Sequence, residues 1–418
     1  MAAIPADFDF ESYINNYQGY TRISRALFIA KQCEPLAVEA YKFALDEFKA
    51  TTLNTSKYMT TVDALNTVLH RLGQPLFTPD LDWVNNTTQS NKTILDNLEN
   101  DLKSAKANVL KEEIRLAHIK LGEYYYKKGD IPSAIKNYIR TRDYCSQSEH
   151  IIEMCFDNIK VYFDEGNYSP VIQTYIARAE ATPNIPDKVN TTSKLKCCRA
   201  LAFLGGSDSN KYRTVANTLT EVVFDSNPFF NDVMSPNDVA IYGGLCGLVS
   251  YDRRQLQTNI LNNANFKNFL SLEPGLYELV EAFYHSKYAI CLGLLEKYKN
   301  NMLLDIHLQP HVQTLVQLVR EKAIVQYCIP YSTVDMRKMA ISFNMSVDQL
   351  EDDLVTLIGK KEKIAARIDS HEKILRTKNQ EKRNQAFERS LVTGDNFEKS
   401  SKALLLRLNL LKAKMVVN

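Results

Sequence analysis

The sequence has no Cys-x-x-Cys pair, no Gly-rich phosphate loop, no Gly-x-Ser-x-Gly elbow and no His-Glu-x-x-His. Each absence removes a chemistry. Zinc ribbons and dithiol redox centres need paired thiols close in sequence. Nucleotide cradles need glycines that let backbone N–H groups approach phosphate. Serine hydrolases of the elbow type need small residues flanking the nucleophile. The eight cysteines, at 33, 145, 155, 197, 198, 246, 291 and 328, are scattered and read as buried reduced thiols, with Cys197 and Cys198 adjacent on a helix. Breakers are scarce, with 14 Gly and 13 Pro in 418 residues, which favours a mostly helical chain. A net charge of +2 gives no whole-chain field for a polyanion or a membrane. No run approaches the ~20 apolar residues of a membrane span. The start, Ala2 to Asp7, lacks the basic-then-apolar pattern of a secretory signal, so a soluble intracellular chain is expected.

Histidine does not supply a centre either. His307 and His311 stand four apart, but Pro310 lies between them and no partner acid follows the metalloprotease pattern. His118 is expected to pack, and His371 to be solvated. Carboxylate pairs such as Asp352 and Asp353 read as exposed-face charges. No catalytic residue, metal ligand or cofactor-binding residue is expected.

What is present is periodicity. His311 to Tyr327 places Val312, Leu315, Val316, Val319, Ala323 and Tyr327 on one helical face, and Pro330 ends it. Ser332 or Thr333 is expected to cap a second helix burying Met336, Met339, Ala340 and Phe343, with Asp335 in its first turn. Asn344 and Met345 make a turn. Ser346 with Gln349 reads as a capping box for a third helix, with Val347, Leu350, Leu354, Leu357 and Ile358 as its stripe and Gly359 as its stop. Ile364, Ala366 and Ile368 alternate as a strand, Asp369 to His371 turn, and Lys373 to Arg376 return. The pattern is a winged helix with a two-stranded wing, spanning 311–378.

Upstream, Ala26–Ala30 and Ala37–Phe48 form a helical pair turned at Cys33-Glu34-Pro35. The Asn/Thr-rich stretch 51–100 reads as a weaker helix, a loop and the start of another helix. Leu121-Gly122-x-x-Tyr125 followed by Ala134-x-x-x-Tyr138 has tetratricopeptide spacing. It recurs 37 residues on, with Tyr162, Gly166, Ile172 and Tyr175, and more weakly over Leu201–Gly205 and Tyr212–Val222. Residues 111–225 therefore read as a short solenoid, either a binding repeat or hairpins without a peptide groove. Ser235-Pro236-x-Asp238 is a strong helix start, and two or three further helices run to Leu304. Asn300-Asn301 reads as a polar link. With no long linker, solenoid and winged helix are expected to share one core. In the tail, Phe397, Leu404, Leu408, Leu411 and Met415 fall at spacings of seven, four, three and four, widened by Leu405, Leu406 and Leu410. So apolar a terminal helix needs a partner surface or must fold back.

A winged helix raises the possibility of nucleic acid, but the leading turns of the third helix carry Asp348, Glu351, Asp352 and Asp353, which repel phosphate. Lys360, Lys361, Lys363, Arg367, Lys373 and Arg376 follow as a basic or merely solvated face. Nucleic acid is therefore not the expected partner. A wing that binds protein by its strand edge fits better.

A helical solenoid running into a winged helix resembles the PCI family, shared by the proteasome lid, the signalosome and a translation initiation factor complex. The blocks Phe10-x-x-Tyr13, Tyr17-Gln18-Gly19, Leu27-Phe-Ile-Ala30, Asn137-Tyr-Ile-Arg-Thr-Arg-Asp-Tyr-Cys145, Ala240-Ile-Tyr-Gly-Gly-Leu-Cys246, Phe283-Tyr-x-Ser-Lys-Tyr-Ala289, Leu303-Leu-Asp-Ile-His-Leu308, Ala365-Ala-Arg-Ile-Asp-Ser-His371 and Leu404-Leu-Leu-Arg-x-Asn-Leu-Leu411 resemble the first-subunit family of the COP-nine signalosome. The resemblance implies four regions: an N-terminal helical region (1–100), tetratricopeptide-like repeats (101–234), a PCI domain (235–378, helical over 235–304) and a helical tail (379–418). It further implies a non-catalytic scaffold in a complex that removes Nedd8 from cullins, with the zinc metalloprotease in another subunit. The implied partners are the other signalosome subunits, the second and third PCI subunits as neighbours, and cullin–RING ligases, in cytoplasm and nucleus, with no membrane. Ile364, Ala366, Ile368, Ile374 and Leu375 would form the wing contact, and Phe397, Leu404, Leu408 and Leu411 the bundle contact. A proteasome lid scaffold is the alternative within the same architecture, and a nucleic-acid-binding winged-helix protein the alternative outside it.

Overall fold

The computed structural model describes residues 8–185, 187–206, 208, 210–224, 231–359, 364–377, 382–413 and 415. The fold is mostly helical. The chain divides into two compact units, Met1–Ala323 and Ile324–Asn418, so two bodies replace the single core expected from the short linker. The division falls inside the helix Val312–Cys328.

The first unit is a succession of helical hairpins. Gly19–Gln32 and Glu34–Thr51 pack as a pair across Cys33, with Pro35 in the first turn of the second helix, where its missing N–H costs nothing. Their inner faces, with Phe10 and Ile14 from the short helix Phe10–Asn15, bury Ile23, Ala26, Ile29, Ala40, Leu45 and Phe48. The polar stretch that follows is more ordered than its composition suggests. Asn54 caps Thr55–Arg71, and Asp80 caps the long helix Leu81–Ala107. Trp83 meets Tyr58 at 5.0 Å between rings.

The tetratricopeptide-like spacing marks a real hairpin of Lys111–Lys128 and Ile131–Arg140. Gly122 lies against Tyr138 so closely that a Cβ there would stand 2.6 Å from the ring. Gly129 turns the chain at φ +86°, a conformation few other residues tolerate, and Asp130 caps the next helix. The next hairpin repeats this: Ser148–Glu165 ends at Gly166 with φ +77°, and Tyr162 meets Tyr175 at 5.5 Å. The weaker third hairpin is Lys188–Leu204 with Lys211–Thr220. Pro236–Ser250 begins at a complete capping box of Ser235 and Asp238. The helices after it are more numerous and shorter than expected: Arg253–Leu256, Ala264–Leu270, Pro274–Tyr284 and Tyr288–Leu303. Asn300 and Asn301 are not a link but the last turn of Tyr288–Leu303.

The second unit is a winged helix followed by a tail. Met336–Phe343 and Val347–Gly359 bury the expected Met336, Met339, Ala340, Phe343, Leu350, Leu354 and Leu357. Asn344 at φ +52° makes the turn between them. Ser346 Oγ accepts from Gln349 N at 3.3 Å, as the capping pattern requires. Two local readings are corrected. Thr333 does not cap a helix: Thr333–Asp335 is strand β1, and Asp335 is the cap, accepting from Arg337 N at 2.9 Å. β-branched Thr333 and Val334 suit a pleated surface, and Val334 buries opposite Leu375. The sheet is accordingly three-stranded, in antiparallel order β1, β3 (Ile374–Thr377), β2 (Ala366–Asp369). Ile364 precedes β2, and Asp369 belongs to the strand. The tail is one helix, Lys382–Lys412.

Candidate interaction surfaces

The wing is fixed from its turn outward. Asp369 Oδ1 accepts from His371 N and Glu372 N, both at 3.2 Å, which folds the chain back. Lys373 adopts φ +56°, and its ammonium meets Glu351 Oε2 at 2.6 Å on the helix Val347–Gly359. Ser370 also donates to Glu351. That lysine and that carboxylate neutralise one another, so neither belongs to a free basic or acidic face. Hydrogen bonds from Lys373, then Ser370, hold the Glu351 carboxyl below its ordinary value. Lys360, Lys361 and Lys363 lie outside the described residues. His371 is exposed.

Register determines which groups remain free. Met336 N donates to Lys373 O and Thr377 N to Ser332 O, each at 2.9 Å. Antiparallel bonding alternates along a strand. Leu375 and Thr377 therefore turn their backbone groups toward β1, and Ile374 and Arg376 turn theirs toward β2. Arg367 pairs with Arg376 and Asp369 with Ile374. Ala366 and Ile368 are left with N–H and C=O pointing away from the sheet, the condition for accepting another strand. Among the five wing residues expected at a contact, these two line the edge. Ile364 and Leu375 are buried, and Ile374 is half-buried in the central strand.

The tail helix is about 46 Å long at 1.5 Å per residue. It is exposed along nearly its whole described length. Phe397, Leu404, Leu408 and Leu411 are 75%, 61%, 53% and 48% exposed. At 100° per residue they fall within about 60° of arc, a narrow apolar seam. Leu405 broadens that seam, whereas Leu406 and Leu410 fall on the far side of the helix and do not.

Sequence reading missed a buried ion network that ties distant parts of the first unit together. Arg25, 1% exposed, donates to Asp305 Oδ2 at 2.7 Å and to Asp238 Oδ2 at 3.0 Å. Its guanidinium stacks over Tyr17 at 4.0 Å and also donates to Tyr13. Tyr17 donates to Asp238 at 2.7 Å and Tyr242 to Asp305 at 2.8 Å. Asp305 Oδ1 accepts His307 N and Leu308 N, both at 2.9 Å. Two carboxylates share one cation. Burial raises both, but Arg25, then His307, hold Asp305 down at about 2, while Asp238 stays raised by burial despite Arg25, with the Asp305 charge adding to the rise. Burial, then Arg25, lowers His307 to about 4. Phe10-x-x-Tyr13, Tyr17, Ala240-Ile-Tyr242 and Leu303-Leu-Asp305-Ile-His307 thus converge on one point, though nothing in their spacing said so. Tyr13 and Tyr17 close to Arg25 were the only local signal, since Asp238 and Asp305 lie more than two hundred residues along the chain. His307 belongs to this network, while His311 faces Tyr212 at 5.9 Å between rings. His118 packs against Asn137 and Tyr144. Among the described residues no group of three or more His, Cys, Asp or Glu is placed to hold a metal ion. Among them, too, no helix is long and apolar enough to cross a membrane.

A hairpin solenoid and a winged helix with an open sheet edge define a helical-repeat PCI-domain protein. Residues 295–379 match the family model of the PCI domain, and residues 80–259 match that of the 26S proteasome subunit RPN7. The chain is 40% identical to COP9 signalosome complex subunit 1 of Arabidopsis thaliana, over 97% of this chain and 90% of that one. It is 35% identical to COP9 signalosome complex subunit 1b of Drosophila melanogaster, over 97% and 85%. The 26S proteasome non-ATPase regulatory subunit 6 of Dictyostelium discoideum is more distant, at 21% identity over 77% and 82%. The chain belongs to the COP9 signalosome complex subunit 1 family.

Proposed function

We propose that this chain is a non-catalytic scaffold subunit of a COP9 signalosome, working in cytoplasm and nucleus, within an assembly that removes Nedd8 from cullin–RING ligases through a metalloprotease in another subunit. The observation that carries the reading is the uncovered tail: a 31-residue helix with an apolar seam left in water. Such a seam is stable only against another surface. The wing supports the same reading, since Ala366 and Ile368 offer unpaired backbone groups at an open edge. In this account neighbouring PCI subunits, the second and third, join that edge, and C-terminal helices gather on Phe397, Leu404, Leu408 and Leu411. The hairpin solenoid, tied together by Arg25, then holds its outer surface toward cullin–RING ligases.

The test is reconstitution of the complex from its co-expressed subunits with and without this chain. Omission is expected to fragment the particle and abolish release of Nedd8 from a cullin, while the chain alone releases none. An intact, active particle formed without it would contradict the proposal. Ala366→Pro removes one outward N–H at the first position of an edge strand, where proline is tolerated by the fold. It is expected to weaken joining without lowering the chain's thermal midpoint.

A further inference from the structure

The exposed face of the wing sheet carries two like charges side by side. Thr333, Arg376 and Arg367 lie side by side across β1, β3 and β2, and all three are exposed. Arg376 and Arg367 are direct cross-strand partners. Like charges opposite one another on a sheet destabilise it. The carboxylates near this face are engaged elsewhere, and Asp335 and Asp369 keep their charge because, among the described residues, they accept only backbone N–H groups. Asp335 caps a helix, Asp369 holds the wing turn, and Glu351 is paired with Lys373. Among the described residues no carboxylate pairs with either arginine. Both guanidinium groups therefore meet solvent on the face next to the free edge.

Resting on the edge-pairing reading above, we propose that this row selects the neighbour: the strand that joins β2 presents a carboxylate opposite Arg367. The geometry points to that position. Ala366 and Ile368 make the new backbone bonds, so Arg367 and its counterpart form the non-hydrogen-bonded pair, in which side chains approach most closely. A carboxylate there extends the row as cation, cation, anion and offsets the repulsion built into the free wing. A basic counterpart would add a third like charge, so the row also rejects wrong strands. The acids around the row make it too short a basic strip for a nucleic-acid backbone, which spreads its charge over many phosphates.

The experiment uses the full chain with its co-expressed neighbouring subunits. Arg367→Glu is expected to lower incorporation at limiting concentration by about tenfold, while raising the thermal midpoint of the isolated chain by about 2 °C as the Arg–Arg repulsion disappears. Wild-type incorporation is expected to weaken as salt rises from 50 to 500 mM, and that of Arg367→Glu to respond much less. Loss of stability together with loss of incorporation would mean a structural role and overturn the proposal. If Ala366→Pro disrupts joining and Arg367→Glu does not, edge pairing stands and charge selection fails. If neither changes assembly, the edge reading itself falls. A 30-base-pair DNA duplex bound by the wild-type chain and released by Arg367→Glu would assign the row to nucleic acid instead.

Discussion

Leu404→Asp combined with Leu408→Asp attacks the tail at the centre of its seam. The two side chains are 61% and 53% exposed, so docking has at least half of each leucine left to bury. At about 25 cal/mol per Å² that burial contributes roughly 1–1.5 kcal/mol per residue. A carboxylate at either position adds a desolvation cost of at least about 1 kcal/mol. The combined loss is about 4–5 kcal/mol, on the order of a thousandfold in dissociation constant. Folding of the chain should change little, since substitutions at exposed sites without partners usually stay within about 0.5 kcal/mol, with a small further penalty for acids near a helix C-terminus. The assay is size-exclusion chromatography of co-expressed subunits, with far-UV circular dichroism of the isolated chain as the fold check. Leu406→Asp is the control: Leu406 is also 61% exposed but lies on the far side of the helix, and it is expected to assemble normally. Wild-type incorporation of the double variant, or equal damage from Leu406→Asp, would refute the seam.

Other expectations follow from the first unit. Arg25→Met leaves Asp238 and Asp305 buried without their cation and should cost about 3–5 kcal/mol in chemical denaturation. A loss below about 1 kcal/mol would mean that the network is not a structural tie. Gly122→Ala forces a methyl group to 2.6 Å from Tyr138 and should cost about 1–3 kcal/mol, part of it recovered by Tyr138→Leu. His307, lowered from 6.5 to about 4 by burial and then Arg25, is neutral in the folded chain where the unfolded chain is already protonated. Its contribution is complete above pH 6.5 and is lost as pH falls toward 4. His307→Asn should flatten the dependence of the urea midpoint between pH 7 and 5, and an unchanged slope would exclude this histidine as its source.

Much of the architecture was legible because it rests on local rules. Gly129 and Gly166 mark turns that need positive φ, and the structure shows both. Gly122 announced a close helix approach, and Tyr138 makes it. Ser235 and Asp238 read as a helix start from sequence alone. What stayed hidden was non-local. Asp238 is both the N3 member of a capping box and an Arg25 partner across more than two hundred residues, and no spacing rule reports the second role. Strand β1 looks like a helix cap in sequence because Ser332 and Thr333 are good capping residues and Asp335 suits a first turn. Its pairing with β3 depends on a segment some forty residues away. In the wing, alternation identifies strand faces, but only register shows that Ala366 and Ile368 line the edge. The tail seam was visible as spacing, and helix geometry then separated Leu405 from Leu406 and Leu410.

The most direct test of the scaffold claim is native purification through a tag on this chain, followed by intact-complex mass and subunit identification. The expected result is a particle of several subunits that contains a metalloprotease subunit and strips Nedd8 from a cullin. Recovery of the chain as a lone monomer or homodimer, or in a particle built around proteasomal ATPases, would contradict it.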